Sequence, residues 1–337
     1  MKVIELRDDW ALENVVPGTR PDPQPGPGEI VVKMEAASLN YRDFVMVHHG
    51  YGRHSGKLPL IVLSDGAGRV IETGAGVTRV ETGDLVCPLF AQTWFGGPLH
   101  EAHRAHLLAG PLDGVMREYM CLSQEAVVKA PAHFSAAEAA TLPCAAITAW
   151  NAVIEGGTKP GDLVVTQGTG GVSLFALQFA KLAGATVAVT SSSDEKLARV
   201  KALGADILIN YRAHPEWYRE ARKLAGGRGA DLVIELGGEK SLDQSLRAVR
   251  VSGTVALIGV LSGGVAPLNL GRPVTQNLRL QGVTIGNRDM FEAMVRAIER
   301  HRLKPVIDPH RFAFEETREA IAAIAAGRHF GKIVVEF

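Results

Sequence analysis

Cysteine is scarce in this chain. Cys87, Cys121 and Cys144 are scattered over 337 residues, with no C-x-x-C pair. That excludes a disulfide framework and suits a reducing compartment, so a cytoplasmic protein is expected. No run of 18 apolar residues occurs, so no segment reads as membrane-spanning. The N-terminal Met1-Lys-Val-Ile-Glu-Leu-Arg-Asp-Asp-Trp10 carries charges where a signal peptide would be apolar. An excess of charge is also missing: 36 basic residues balance 36 acidic ones, giving a formal net charge of +0. Without a basic stripe, nucleic acid and anionic membrane are excluded as partner classes.

What is present points elsewhere. Leu163-Val-Val-Thr-Gln167 reads as a buried strand, Gly168 to Gly171 as a glycine turn, and the apolar stretch to Gly184 as a helix. A glycine turn in that context is a dinucleotide site. Gly168 permits the tight turn, and Gly170 lets the backbone approach a pyrophosphate. The N–H groups of the turn and first helical residues (Gly168, Thr169, Gly170, Gly171, Val172) face the phosphates at the positive end of the helix dipole. Ser173 stands where a third glycine is usual, and is small enough for close packing. Four further strands alternate with helices after it: Ala185–Thr190, Asp206–Asn210, Asp231–Leu236 and Thr254–Val260. Leu278–Ile285 is read as a sixth strand. Alternation of this kind predicts an α/β fold with a Rossmann doubly wound parallel sheet. A nucleotide-free α/β sheet with a casual glycine turn is the alternative.

The end of the second strand selects the cofactor. An NAD site carries Asp or Glu there, bonded to the ribose 2′-hydroxyl. This chain has Thr190-Ser191-Ser192-Ser193 instead, with Lys196 one turn on. Hydroxyls and an ammonium suit a 2′-phosphate, so NADPH is expected over NADH, with Ser191, Ser192 and Lys196 at the phosphate. Ser192 and Glu195 also read as a capping box for the next helix.

The first 130 residues are different. Short β-like segments dominate: Lys2–Leu6, Ile30–Leu39, Gly68–Glu72, Leu85–Pro88 and Glu118–Leu122. The terminal Gly331-Lys-Ile-Val-Val-Glu-Phe337 is a strand that should return to this half. Expected domains are therefore 1–130, a catalytic β domain; 131–286, the nucleotide-binding domain; and 287–337, the return segment.

The chain resembles the medium-chain dehydrogenase/reductase superfamily. The residues that carry the resemblance include Pro25-Gly-Pro-Gly-Glu29, Ser38-Leu-Asn-Tyr-Arg-Asp43, Gly66-Ala-Gly-Arg-Val70, Leu142-Pro-Cys144 and Gly331-Lys332. The resemblance implies a discontinuous, mostly β barrel-like (GroES-like) catalytic domain beside the Rossmann domain. In zinc members, the first catalytic ligand is a Cys where Asn40 stands. The second is a His in the turn here reading Leu63-Ser64-Asp65-Gly66. The third is a Cys, retained as Cys144. Residues 90–117 hold none of the cysteines of a structural zinc lobe. One thiol with Asn and Ser is not a zinc set, so no metal is expected. The spacing His100-Glu-Ala-His-Arg-Ala-His106 is read as a polar surface loop.

Without zinc, the resemblance points to the quinone-oxidoreductase-like branch: an NADPH-dependent oxidoreductase acting on a small apolar quinone, enone or activated carbonyl. An alcohol dehydrogenase with an atypical zinc site and a non-catalytic NADPH-binding protein are the alternatives. The resemblance makes Asn40 and Tyr51 the catalytic candidates, with Tyr41 beside them. It also places Asn40 at the nicotinamide ribose, Thr148 at the nicotinamide pocket, and Tyr211 against adenine. Val260, Leu261 and Ile285 would hold the carboxamide, and Lys332 would lie near the pyrophosphate. Trp94, Phe95 and Met290 are read as lining the acceptor side. The apolar sixth strand would be left as an exposed edge, so a homodimer is expected.

Overall fold

The computed structural model describes residues 1–337, the side chain of Arg53 excepted. Eight strands come first: β1 (Lys2–Leu6), β2 (Val15–Thr19), β3 (Glu29–Ser38), β4 (Leu60–Ile61), β5 (Asp65–Thr73), β6 (Leu85–Pro88), β7 (Tyr119–Ser123) and β8 (Val127–Lys129). Six more follow: β9 (Leu163–Gln167), β10 (Thr186–Ser191), β11 (Ile207–Asn210), β12 (Ala230–Glu235), β13 (Val249–Leu257) and β14 (Arg279–Gly282). The chain ends with β15 (Ile307–Ala313) and β16 (Lys332–Glu336). It divides into two compact units: Met1–Ile147 with Gly286–Phe337, and Thr148–Ile285.

The division between the units falls at Ile147, later than the Pro131 read from composition, and the return begins at Gly286. Residues 135–147 belong to the first unit for a physical reason. The Cys87 thiol donates to the Ala139 carbonyl, and the Cys144 N–H donates to Asp65. The helix expected over Ala136–Glu155 is a short α-helix, Ala136–Ala139, followed by two wide turns, Leu142–Ala146 and Asn151–Glu155, around Ile147–Trp150.

In the first unit, β2-β1-β4 form a small antiparallel sheet, and β15-β16-β3-β5-β6-β8 a larger one with β7 also on β3. β3 is its spine. Ile30, Val32 and Met34 alternate into the core, and β5 pairs along its length. β16 pairs antiparallel to the end of β3, Val334 opposite Ser38, and parallel to β15. Sequence reading did not extract β15 or the helices Arg288–His301 and Thr317–Ala326. Yet the first helix buries Phe291, Met294, Val295 and Ile298 at helical spacing.

In the second unit, all six strands are parallel, in the order β11-β10-β9-β12-β13-β14. The order reverses between β9 and β12, which makes this a Rossmann doubly wound sheet. β12 is buried at every residue, as a strand covered on both faces must be. The helix Gly171–Leu182 buries Phe179 between Phe175 and Trp150, at ring distances of 5.9 and 5.3 Å. Truncating such a phenylalanine costs about 3–5 kcal/mol.

Some boundaries differ from those read in the sequence. β10 runs on through Ser191, so the extended residue capping the next helix is Ser193, not Ser192; its hydroxyl accepts from the Lys196 N–H at 3.2 Å. β13 starts and ends earlier than expected, and β14 spans only Arg279–Gly282. Among the described residues, no helix is long and apolar enough to cross a membrane.

Candidate active site

Asn40 lies two residues past the end of β3 and caps the helix Tyr41–Val47. Its backbone N–H is fixed by Asp43 Oδ2 at 2.7 Å. This leaves the amide side chain to a different partner. Lys332, first residue of β16, is only 3% exposed. Its ammonium donates to the Leu39 carbonyl and to Asn40 Oδ1, the latter at 2.6 Å. Lys332 is thus buried against Asn40.

Asp65, first residue of β5, faces the same cluster and is fully buried. Its Oδ2 accepts from the Cys144 N–H at 3.0 Å, and its Oδ1 from the Ser64 hydroxyl at 2.9 Å. The turn leading to it holds Leu63 at φ 61°, a conformation that a buried leucine adopts only under constraint. Burial pushes the Asp65 carboxyl above its ordinary range, against the opposing pull of Lys332 and the Asn40 amide. Burial likewise pushes Lys332 down, with Asp65 as the main group opposing it. Asp43 is raised to about 6, again by burial, which outweighs the Arg42 guanidinium 3.7 Å away. These carboxylates and the lysine form one buried electrostatic unit.

Arg42 lies over the Phe90 ring at 4.6 Å and 5.9 Å from the Tyr51 centroid, donating to the carbonyls of Leu108 and Ala109. Tyr51 is 44% exposed. Partial desolvation raises its phenol pKa above the ordinary value, opposed by the Arg42 guanidinium. Tyr41 packs against Phe44 at 5.9 Å. Trp94 is buried with its indole N–H on the Gly97 carbonyl, and Phe95 lies under the Arg288 guanidinium at 4.6 Å. Met290 is in the first turn of its helix, its N–H held by Asn287.

The zinc question can be put to these atoms. Oδ1 is the only metal-ligating atom of Asn40, and a cation already holds it. Ser64 donates to Asp65. Cys144 is pushed up to about 12, first by burial and then by the Asp65 charge, so its thiolate is disfavoured. Zinc needs anionic or imidazole ligands, and this donor set does not fit it. In the 100–106 loop, His103 Nδ1 lies 3.2 Å from the Thr93 hydroxyl. Among the described residues, no group of three His, Cys, Asp or Glu could hold a metal.

The second unit carries the nucleotide elements. Gly168 has φ 76°, which favours glycine, and open space where a Cβ would stand. Gly170 caps the helix whose first turn is Gly171, Val172 and Ser173, and Thr169 is buried beside it. The Ser173 hydroxyl donates to the Gln167 carbonyl at 2.6 Å, tying helix to strand. Ser191 ends β10, and no carboxylate occupies that residue or Ser192. Asp194 lies beyond the strand and accepts from Asn210 at 2.8 Å. Lys196 is in the first turn of that helix, and Tyr211, exposed, donates its N–H to the Ser191 carbonyl. The Thr148 hydroxyl donates to the Thr284 carbonyl at 3.2 Å, and Ile285 accepts from Asn151. Val260 and Leu261 lie in an exposed loop past β13.

Sequence reading assigned no role to Glu235. Its buried carboxylate accepts from Gly237 N at 2.8 Å, Gly238 N at 2.9 Å, Gln167 Nε2 at 2.7 Å, and the hydroxyls of Ser241 and Ser245. It ties the ends of β9 and β12 together at the point where the strand order reverses. The roles of Asp43 and Asp65 were also missed. The available signal was an acid beside each of two segments matched to zinc-ligand positions, Asn40-Tyr-Arg-Asp43 and Ser64-Asp65.

Two family models match the chain: an alcohol dehydrogenase GroES-like domain over residues 26–132 and a zinc-binding dehydrogenase over residues 171–300. A zinc-type alcohol dehydrogenase-like protein of Schizosaccharomyces pombe is 44% identical over 92% of this chain and 91% of its own. The chain belongs to the medium-chain dehydrogenase/reductase superfamily. A solved structure from Sinorhizobium meliloti 1021, provisionally described as an alcohol dehydrogenase, is similar to this superfamily member at TM-score 0.93 and 42% identity, covering 100% of this chain and 98% of the other. A quinone oxidoreductase from Pseudomonas syringae pv. Tomato DC3000 matches at TM-score 0.83 and 26% identity, covering 100% and 99%. This superfamily member is an alcohol-dehydrogenase-like oxidoreductase.

Proposed function

We propose that the chain is an NADPH-dependent, zinc-independent reductase of small apolar quinones, enones or activated carbonyls, working in the cytoplasm as a homodimer. The observation that carries this is the donor set at the zinc-ligand positions: Asn40 held by Lys332, Ser64 bonded to Asp65, and a Cys144 whose burial disfavours the thiolate. A plain ketone or alcohol gains most from a Lewis acid. A conjugated acceptor gains less, because the charge that develops on its oxygen is delocalised and can be met by hydrogen bonds.

The second unit would hold the cofactor through the Gly168–Val172 turn, with Ser191, Ser192 and Lys196 toward a 2′-phosphate. When bound, the reduced nicotinamide supplies the hydride. Hydride delivery to the acceptor carbon would place the displaced π pair on the acceptor oxygen. Asn40 would donate to that oxygen, and Tyr51 would deliver the proton. The absence of an acid at the end of β10 supports the choice of NADPH.

The dimer reading is supported by β14, which pairs only with β13 among the described residues, and by exposed Val265, Leu270 and Val274 in the same unit. An edge of this kind invites a second copy.

The test combines metal analysis with turnover. Protein purified without chelator should hold less than stoichiometric zinc and keep its activity after dialysis against a strong chelator. NADPH oxidation should be fastest with 1,4-benzoquinone or an enal and slow with a simple ketone. One tightly held zinc per chain, with activity tracking it, would favour the alcohol dehydrogenase reading. Tight NADPH binding without turnover on any acceptor would leave a binding protein.

A further inference from the structure

Lys332 has no task in the reaction as described so far, yet it is among the most buried charged groups of the first unit. An ammonium has donors only. Asn40 must therefore turn its amide oxygen toward Nζ, 2.6 Å away, and cannot turn round while the lysine is charged. The amide nitrogen is aimed the other way. Asn40 Nδ2 is buried and makes no well-formed hydrogen bond, although the amide lies close enough to Asp65 to help hold its charge. At most one of its two N–H groups can lean toward that carboxylate. The other is a buried donor with nothing to accept from it, an exception that calls for an explanation.

We propose that Lys332 is a positioning residue that fixes Asn40 as a hydrogen-bond donor to the oxygen of the reducible acceptor. Its charge, relayed through the polarised amide, takes the electrostatic part that a metal ion takes in zinc members of the superfamily. The inference rests on the zinc-independent reductase reading. The geometry is over-determined: Asp43 holds the Asn40 backbone, the Leu39 carbonyl holds the ammonium, and Asp65 supplies the balancing charge. A donor polarised by a neighbouring cation is stronger than a neutral amide alone, and it needs no reorganisation as charge builds on the acceptor. Without the ammonium, the amide can turn and present its oxygen to the developing anion, which would repel it.

The experiment compares full-length wild type, K332M, N40A and the double variant K332M/N40A, with NADPH and 1,4-benzoquinone or trans-2-hexenal. K332M should lower kcat about 10- to 100-fold, with the Kd for NADPH changed less than threefold. If lysine acts through the amide, K332M should do little further harm in the N40A background. K332M/D65N guards against misfolding caused by an unpaired carboxylate. A readout free of turnover comes from protein labelled with 15N-asparagine, the Asn40 side-chain signal being assigned by its loss in N40A. That signal should move in K332M relative to wild type and in K332M/D65N relative to D65N alone. Losses that multiply in the double variant would overturn the proposal. So would a raised NADPH Kd with kcat and the Asn40 signal unchanged, which would return Lys332 to the pyrophosphate. If wild type reduces no acceptor, the functional reading fails by itself. The Asn40 signal then decides the positioning role: movement in K332M/D65N relative to D65N alone supports it, and no such movement overturns it.

Discussion

Asp43 offers the sharpest quantitative test, because its carboxyl is buried, holds the backbone of Asn40, and has one oxygen without a hydrogen bond. Burial raises it from 3.8 to about 6. The sign follows from linkage. A carboxyl that holds its proton more tightly when folded favours the native state at low pH. That contribution is complete below about pH 4 and is lost as pH rises through about 6. A difference of about two pH units, at 1.36 kcal/mol each, is about 3 kcal/mol lost by pH 8. Asp43→Asn keeps an oxygen to accept from the Asn40 N–H and removes the buried charge. Urea denaturation of both proteins at intervals from pH 4 to 8 isolates the effect, since contributions common to both cancel in the difference. The variant's stability relative to wild type should rise by about 2.5 kcal/mol across the range, most steeply between about pH 4 and 6. Parallel curves would refute the reasoning and show that the ionised carboxylate is well solvated or paired.

Other expectations concern function and assembly. Lys196→Ala should weaken NADPH binding by about 1.5–3 kcal/mol while leaving NADH binding nearly unchanged, measured by fluorescence titration; equal binding of both cofactors by wild type would refute the cofactor assignment. Tyr51→Phe should lower kcat on an enone by about 10²–10⁴ with NADPH binding intact, and an unaffected rate would move the proton source to water. Asn40→Ala should impair both quinone and enone reduction, and full activity on both would remove Asn40 from the site. Light scattering at micromolar concentration should give twice the chain mass, and a monomer would refute the role given to the β14 edge.

The Rossmann unit was legible because its signals are local. Leu163–Gln167, the glycine turn and the apolar helix each declare themselves within a few residues, and repetition of strand and helix does the rest. Where boundaries slipped, neighbouring residues competed for one job, as with Ser192 and Ser193 for the helix cap. The candidate site was only half legible. Asn40 and Cys144 stood out by comparison with zinc ligands, but their environment depends on contacts far apart in sequence. Lys332 meets Asn40 across most of the chain's length. The resemblance drew Lys332 toward the pyrophosphate, and its burial beside Asn40 follows only from β16 lying between β15 and β3. Asp43 and Asp65 are ordinary acids in the sequence, and only burial makes them unusual.

The position of β16 also sets an order of events during synthesis. The second unit is an uninterrupted stretch of chain, so it can fold as soon as it leaves the ribosome. The first unit cannot finish then, because its large sheet still lacks β15 and β16. At about 5–20 residues per second, the roughly two hundred residues between Ile147 and Lys332 take on the order of 10–40 s to make. For that time the outer end of β3 lacks its partner, and Asp65 is without the ammonium that balances it. A nascent chain stalled before β16 should therefore carry a folded nucleotide-binding unit beside an incomplete sheet. Such a chain would present an unpaired strand end to chaperones until the final segment docks.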